Sequence, residues 1–127
     1  MCVGSRYISG INVVNWPLSR VLLSYFASFY VRCITGMGIK DPTAGFNLFT
    51  RKVLVSLPLD QIEFIGYAFQ IEMKFRTWKK GFKIKEIPII FKDRERGVSK
   101  LNSSIIKEAV IGVLKMKIKS LLSKAYK

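Results

Sequence analysis

Apolar residues recur at helical spacing through Leu18, Val21, Leu22, Tyr25, Phe26 and Phe29 until Gly36 ends the pattern, with Asn15 as N-cap and Pro17 in the first turn. This predicts an aromatic-rich helix over 16–34 that buries that face. On its other side Arg20, Ser24 and Ser28 follow at four-residue intervals. Arg20 and Ser24 therefore stack one turn apart, either to grip one oxyanion together or as a solvated polar stripe. After a short helical stretch over 51–57, a longer helix runs from Tyr67 to Lys80, opened by Gly66 and closed by Gly81. Ala68, Ile71, Phe75 and Trp78 mark its buried face, and Gln70, Glu72 and Arg76 lie elsewhere on the wheel.

Strand signals are fewer. Residues 2–7 read as the tail of a strand, and 82–91 alternates with a slip in phase, Phe82 and Ile84 first, then Ile87, Ile89 and Phe91. A bulge near Glu86 to Pro88 accounts for the slip, and Pro88 suggests an edge position. From Ser103 to about Lys124 the pattern is helical again, but its apolar sector is wide and contains Lys117 and Lys124. Such a helix either lies on an anionic lipid surface or packs against a further part of the protein.

The connections carry the candidate chemistry. Gly4-Ser5-Arg6 forms a polar turn after the first strand, followed by a loop with Ser9, Gly10 and Asn12. Asp41 and Pro42 favour a turn, and Gly45 relieves crowding, so 41–46 reads as a loop. Residues 91–101 form a cationic segment between strand and helix in which Arg94, Arg96 and Lys100 supply charge-assisted donors. Gly97 admits close backbone approach, and Ser99 adds a hydroxyl near the next helix. That composition suits a bound phosphate; a solvated basic turn is the plain alternative.

Composition narrows the choice. A chain of 127 residues at 50% hydrophobic content supports one modest core, and 22 Lys and Arg against 8 Asp and Glu give a net charge of +14. The expected partner is anionic: nucleic acid, a membrane surface or a phosphorylated substrate. With two cysteines, Cys2 and Cys33, and no histidine, neither a disulfide framework nor a Cys/His zinc site is supported, and a reducing compartment is expected. No apolar run reaches the length of a membrane span and no signal-peptide layout opens the chain, so any membrane contact is expected to be peripheral. Strand and helix alternate as in an α/β layer structure, yet two strands cannot complete its sheet. Met1 also falls inside a strand-like run, so part of the sheet is expected to lie outside this sequence.

Six segments, in order, carry a resemblance: Gly4-Ser-Arg-Tyr7, Asn15-Trp-Pro-Leu-Ser-Arg20, Asp41-Pro-Thr-Ala-Gly-Phe46, Gly66-Tyr-Ala-Phe-Gln-Ile-Glu-Met73, Glu86-Ile-Pro-Ile89 and Asp93-Arg-Glu-Arg-Gly-Val-Ser-Lys100. Together, over residues 3 to 112, they resemble the polyprenol (dolichol) monophosphate mannose synthases, family 2 glycosyltransferases of the GT-A fold. The resemblance implies the C-terminal portion of a GT-A, Rossmann-like α/β fold with an incomplete sheet. Residues 1–102 would form the acceptor-side half of the domain and 103–127 a basic amphipathic C-terminal helix. The nucleotide-binding half, with its acidic metal-binding motif, would lie upstream, so no metal ligands are expected here, although the complete enzyme would use Mg2+ or Mn2+.

What the resemblance implies can be placed residue by residue. Arg6, Arg20, Ser24 and Arg94 match positions that bind the phosphates of the lipid acceptor and nucleotide donor. Ser99 and Lys100 match a mobile cover over the donor, to which Arg96 adds charge. Asp41 falls near the sugar site, to accept sugar hydroxyls or to form an Asx turn, and with Arg94 is the catalytic candidate. Gln70 and Glu72 match a motif lining the same cleft, neither as a general base.

The implied reaction transfers mannose from GDP-mannose to polyprenol phosphate, with inversion at the sugar carbon, on the cytoplasmic face of a membrane. The aromatic helix and the C-terminal helix would offer the lipid tail an apolar surface. This chain by itself is expected to be inactive. The alternatives are transfer of another sugar such as glucose, and a non-catalytic basic module for membrane or nucleic acid. Nucleic acid is the less expected partner, because the basic residues sit among specific glycine and aspartate turns and no recognised nucleic-acid motif is present.

Overall fold

Val3 is fully buried at the centre of a three-stranded sheet, and the rest of the fold is arranged around the strand that carries it. The computed structural model describes residues 1–92 and 103–122. Strand β1 (Cys2–Ser5) pairs antiparallel with β3 (Asn47–Leu48) on one side and parallel with β4 (Lys85–Pro88) on the other. A second small sheet joins β2 (Val13–Val14) to β5 (Phe91–Lys92) in parallel. The helices are α1 (Leu18–Thr35), α2 (Arg51–Ser56), α3 (Gly66–Lys79) and α4 (Ser103–Leu122), with a single 3-10 turn at Leu59–Gln61.

The mixed α/β character is as expected, with four corrections of detail. First, the phase slip in 82–91 is a break and not a bulge. The chain leaves one sheet after Pro88 and enters the other at Phe91, with the Ile89 amide bonded to the Ser5 carbonyl (3.1 Å) and the Phe91 amide to the Asn12 carbonyl (2.9 Å). Pro88 does lie on an outer strand of its sheet. Second, β3 follows directly on the 41–46 loop; a two-residue strand is too short to leave an alternation signal.

Third, α1 does not start from Asn15. Pro17 occupies the cap with extended backbone, and Asn15 has φ 62°, in the left-handed region that asparagine tolerates better than most residues. The helix ends at Gly36, whose φ of 79° lets its amide reach back to the Arg32 carbonyl (2.8 Å). Fourth, α1 is turned the other way round. Leu18, Phe26 and Phe29 are 71, 62 and 56% exposed, whereas Ser28, Val31 and Thr35 are buried. The inner side runs close against the 41–44 loop, with the Ser28 and Thr43 hydroxyls 3.1 Å apart. Periodicity located an apolar stripe; tertiary packing set which side faces inward.

Helices α1, α3 and α4 share one core through Val31, Ile71, Phe75, Val113 and Met116. The Tyr30 hydroxyl donates to the Val110 carbonyl (3.1 Å) and Lys117 to the Thr35 carbonyl (3.3 Å), fastening α4 to α1. Gly112 lets α4 approach closely, because a Cβ there would stand 3.0 Å from the Phe64 ring. Helix α3 is buried from Ile71 to Thr77 and Trp78, expected inside, is 37% exposed. The polar residues on α3 are therefore internal and hydrogen-bonded, as buried polar groups must be.

Candidate functional site

The site begins where β1 ends. Arg6 leaves the strand into the interior and meets Asp41, which is fully buried. The Arg6 amide and Nε donate to Asp41 Oδ2 (3.0 and 2.8 Å), and Nη2 donates to Oδ1 (2.7 Å) and to Thr43 Oγ1 (2.9 Å). The Thr43 hydroxyl in turn donates to Asp41 Oδ1 (3.1 Å). A carboxylate has about four acceptor positions, and these bonds occupy them with protein donors. Sequence reading placed Asp41 at sugar hydroxyls or in an Asx turn; the geometry gives its carboxylate the task of fixing Arg6. Burial pulls the Arg6 pKa down, but the hydrogen bonds and charge of Asp41 outweigh it and raise the pKa above its ordinary value. The guanidinium is therefore a permanent cation.

Two further groups hold the loop that carries Asp41. Glu86 accepts the amides of Lys40 (2.7 Å) and Asp41 (2.9 Å), and Lys74 Nζ donates to the carbonyls of Ala44 (2.5 Å) and Gln70 (3.2 Å). Burial lowers the Lys74 pKa to about 7, with Asp41 and Glu86 opposing and Arg6 reinforcing the shift.

Arg6, Arg20, Ser24 and Thr43 stand at the polar end of a cavity of about 290 Å³ between α1, α3 and α4. Its walls are apolar, from Leu23, Phe26 and Ala27 of α1, Ile71 of α3, and Ile106 and Val110 of α4. The left-handed turn at Asn15 carries Trp16 to this end, where its ring centroid lies 4.1 Å from the Arg20 guanidinium carbon and 5.6 Å from that of Arg6. The Tyr7 hydroxyl donates to Ser24 Oγ (2.7 Å), and the Tyr7 ring lies 5.2 Å from the Arg6 guanidinium carbon.

Of the residues singled out from sequence, Arg6, Arg20 and Ser24 line this cavity, and Asp41 is bonded to Arg6. Gln70 and Glu72 are not among its lining residues. Gln70 Oε1 accepts from Asn47 Nδ2 (2.7 Å). Glu72 is fully buried, bonded to Arg76 Nε (2.8 Å) and to the amides of Glu63 and Phe64 (3.1 and 3.2 Å), a structural pairing within α3 and its approach loop. Arg94, Ser99 and Lys100 lie outside the described residues. Trp16, Thr43, Tyr7, Glu86 and Lys74 were not singled out. Trp16 left a signal in sequence, an indole lying between two arginines read as phosphate ligands, whereas a lysine buried in α3 left none.

Among the described residues no group of three or more His, Cys, Asp or Glu comes together. Nor is any described helix long and apolar enough to cross a membrane.

Paired guanidiniums at one end of an apolar cavity define a site for an anion attached to a hydrocarbon. The chain is 42% identical to polyprenol monophosphomannose synthase of Mycolicibacterium smegmatis over 125 residues, 98% of this chain and 47% of that protein. It is also 42% identical to undecaprenyl-phosphate mannosyltransferase of Micrococcus luteus over 113 residues, 89% of this chain and 46% of that protein. No family profile and no solved structure matches. The chain spans about half the length of the curated relatives it matches.

Proposed function

We propose that this chain forms the acceptor-side part of a glycosyltransferase that moves mannose from GDP-mannose to the phosphate of a polyprenol. The observation that carries the reading is the cavity itself, with Arg6, Arg20 and Ser24 at one end and apolar walls from α1 and α4. The lipid phosphate would lie at the arginines and the first isoprene units along the walls. The mixed α/β arrangement is read as part of a GT-A fold.

In the reaction an oxygen of the acceptor phosphate bonds to the anomeric carbon of mannose, and the bond from that carbon to the GDP oxygen breaks, with GDP leaving on the opposite face. The phosphate is already ionised near neutral pH, so no general base is needed. What the site must supply is position and neutralising charge. Arg6, fixed by Asp41 and Thr43, and Arg20, stacked on Trp16, hold the nucleophilic phosphate without reorganising. Arg94, Ser99 and Lys100 are proposed to act on the donor side. The divalent metal is proposed to be held by residues beyond this chain's span, and the chain alone to be inactive.

Contact with the membrane is proposed to run through the outward face of α1, where Leu18, Leu22 and Phe29 are exposed beside the cavity. Peripheral attachment on the cytoplasmic side follows from that reading and from the surplus of basic residues.

The test is transfer of labelled mannose from GDP-mannose to a short polyprenyl phosphate, by the chain alone and by the chain joined to the remaining half of a mannosyltransferase relative. Transfer by the joined protein and none by the chain alone is expected. A folded joined protein that prefers a UDP-sugar would refute the mannose assignment, and one that transfers no sugar would refute the enzyme reading.

A further inference from the structure

Trp16 lines the cavity at its charged end, and its indole Nε1 is buried with no hydrogen-bond partner among the described residues. Buried donors are almost always bonded, so an unmet N–H beside two cations calls for an acceptor. The Trp16 ring also lies against both guanidiniums, 4.1 Å from Arg20 and 5.6 Å from Arg6, while Phe91 packs against it at 5.4 Å and 75°. Cation–π attraction uses the face of an indole, and its N–H lies in the ring plane. One side chain can therefore hold two arginines and donate a hydrogen bond at the same time.

We infer that Trp16 is itself a ligand of the anion in this cavity: its Nε1–H donates to an oxygen of a bound phosphate monoester, and its face holds Arg20 and Arg6 against that phosphate. A phosphate monoester fits because it offers several terminal oxygens, enough to accept from the indole N–H and from the guanidinium N–H groups beside it. Phenylalanine or tyrosine would keep the stacking surface but lack a donor at this position. The inference rests on the reading of the cavity as a phosphate site.

The experiment is a titration of the 15N-tryptophan-labelled chain with dodecyl phosphate and with inorganic phosphate, followed on the two indole N–H resonances. Trp16→Phe and Trp78→Phe variants assign them. The Trp16 signal is expected to move downfield on saturation while Trp78 stays, with dodecyl phosphate acting at lower concentration than inorganic phosphate if a lipid headgroup is the natural ligand. Trp16→Phe should weaken dodecyl phosphate binding about tenfold or more, the worth of one hydrogen bond to a charged group, and Trp16→Leu should weaken it further. Binding with an unmoved Trp16 resonance overturns this inference and leaves the cavity reading standing. Absence of phosphate binding by the parent chain overturns both.

Discussion

Arg6 and Asp41, 35 residues apart in the chain, meet at the end of β1 through three hydrogen bonds of 2.7 to 3.0 Å, and the carboxylate is entirely removed from solvent. A buried ion pair of this kind costs desolvation, and breaking it from one side leaves an uncompensated charge inside. Asp41→Ala should therefore lower the unfolding free energy by about 3–5 kcal/mol, measured by urea denaturation. The double variant Arg6→Met, Asp41→Leu should recover part of that loss. An unchanged midpoint for Asp41→Ala would show that the pair does not organise the loop.

The cavity separates a polar end from an apolar wall, and the two can be tested apart. Ala27 lines the wall. Ala27→Phe should weaken binding of farnesyl phosphate by about tenfold or more, through the loss of space for a few methylene groups, and leave inorganic phosphate binding unaltered. Equal effects on both ligands would argue against a tail in this space.

Lys74 links stability to pH. Its pKa falls from an ordinary 10.5 to about 7 through burial. Between those values the unfolded chain binds more protons than the folded one, so stability rises with pH over that window and the contribution is flat below about 7. Urea midpoints for the parent should climb relative to those of Lys74→Met from pH 7 to pH 10. Parallel profiles would contradict a low Lys74 pKa.

On the outer face of α1, Leu22 and Phe29 stand exposed two turns apart. If this face meets lipid, Leu22→Ser combined with Phe29→Ser should reduce partition onto anionic vesicles by about tenfold or more without changing the unfolding midpoint. Undiminished vesicle binding would assign the contact to another surface.

Three of the six sequence segments, Gly4-Ser-Arg-Tyr7, Asn15-Trp-Pro-Leu-Ser-Arg20 and Asp41-Pro-Thr-Ala-Gly-Phe46, carry residues of the cavity's polar end, and each is a turn or a helix start whose residue types are dictated locally. Arg20 and Ser24 could be paired from their spacing alone, since four residues is one helical turn. What spacing could not show was tertiary. The aromatic stripe of α1 is the more apolar one and reads as core, yet the serine side is the one set against Thr43. Asp41 reads as a free carboxylate in a turn, because its partner is 35 residues away. Lys74 and Glu86 hold the 40–44 loop through its backbone groups, which no residue pattern encodes.

The most direct measurement is the affinity of the chain for farnesyl phosphate beside that for farnesol, with the parent and with Arg20→Gln, by calorimetry at two salt concentrations. The account predicts that farnesyl phosphate binds more tightly than farnesol, that added salt weakens it, and that Arg20→Gln costs about tenfold or more for the phosphate and little for the alcohol. Equal affinity for phosphate and alcohol, or an Arg20→Gln variant that binds farnesyl phosphate as the parent does, would contradict the assignment of this cavity to a lipid phosphate.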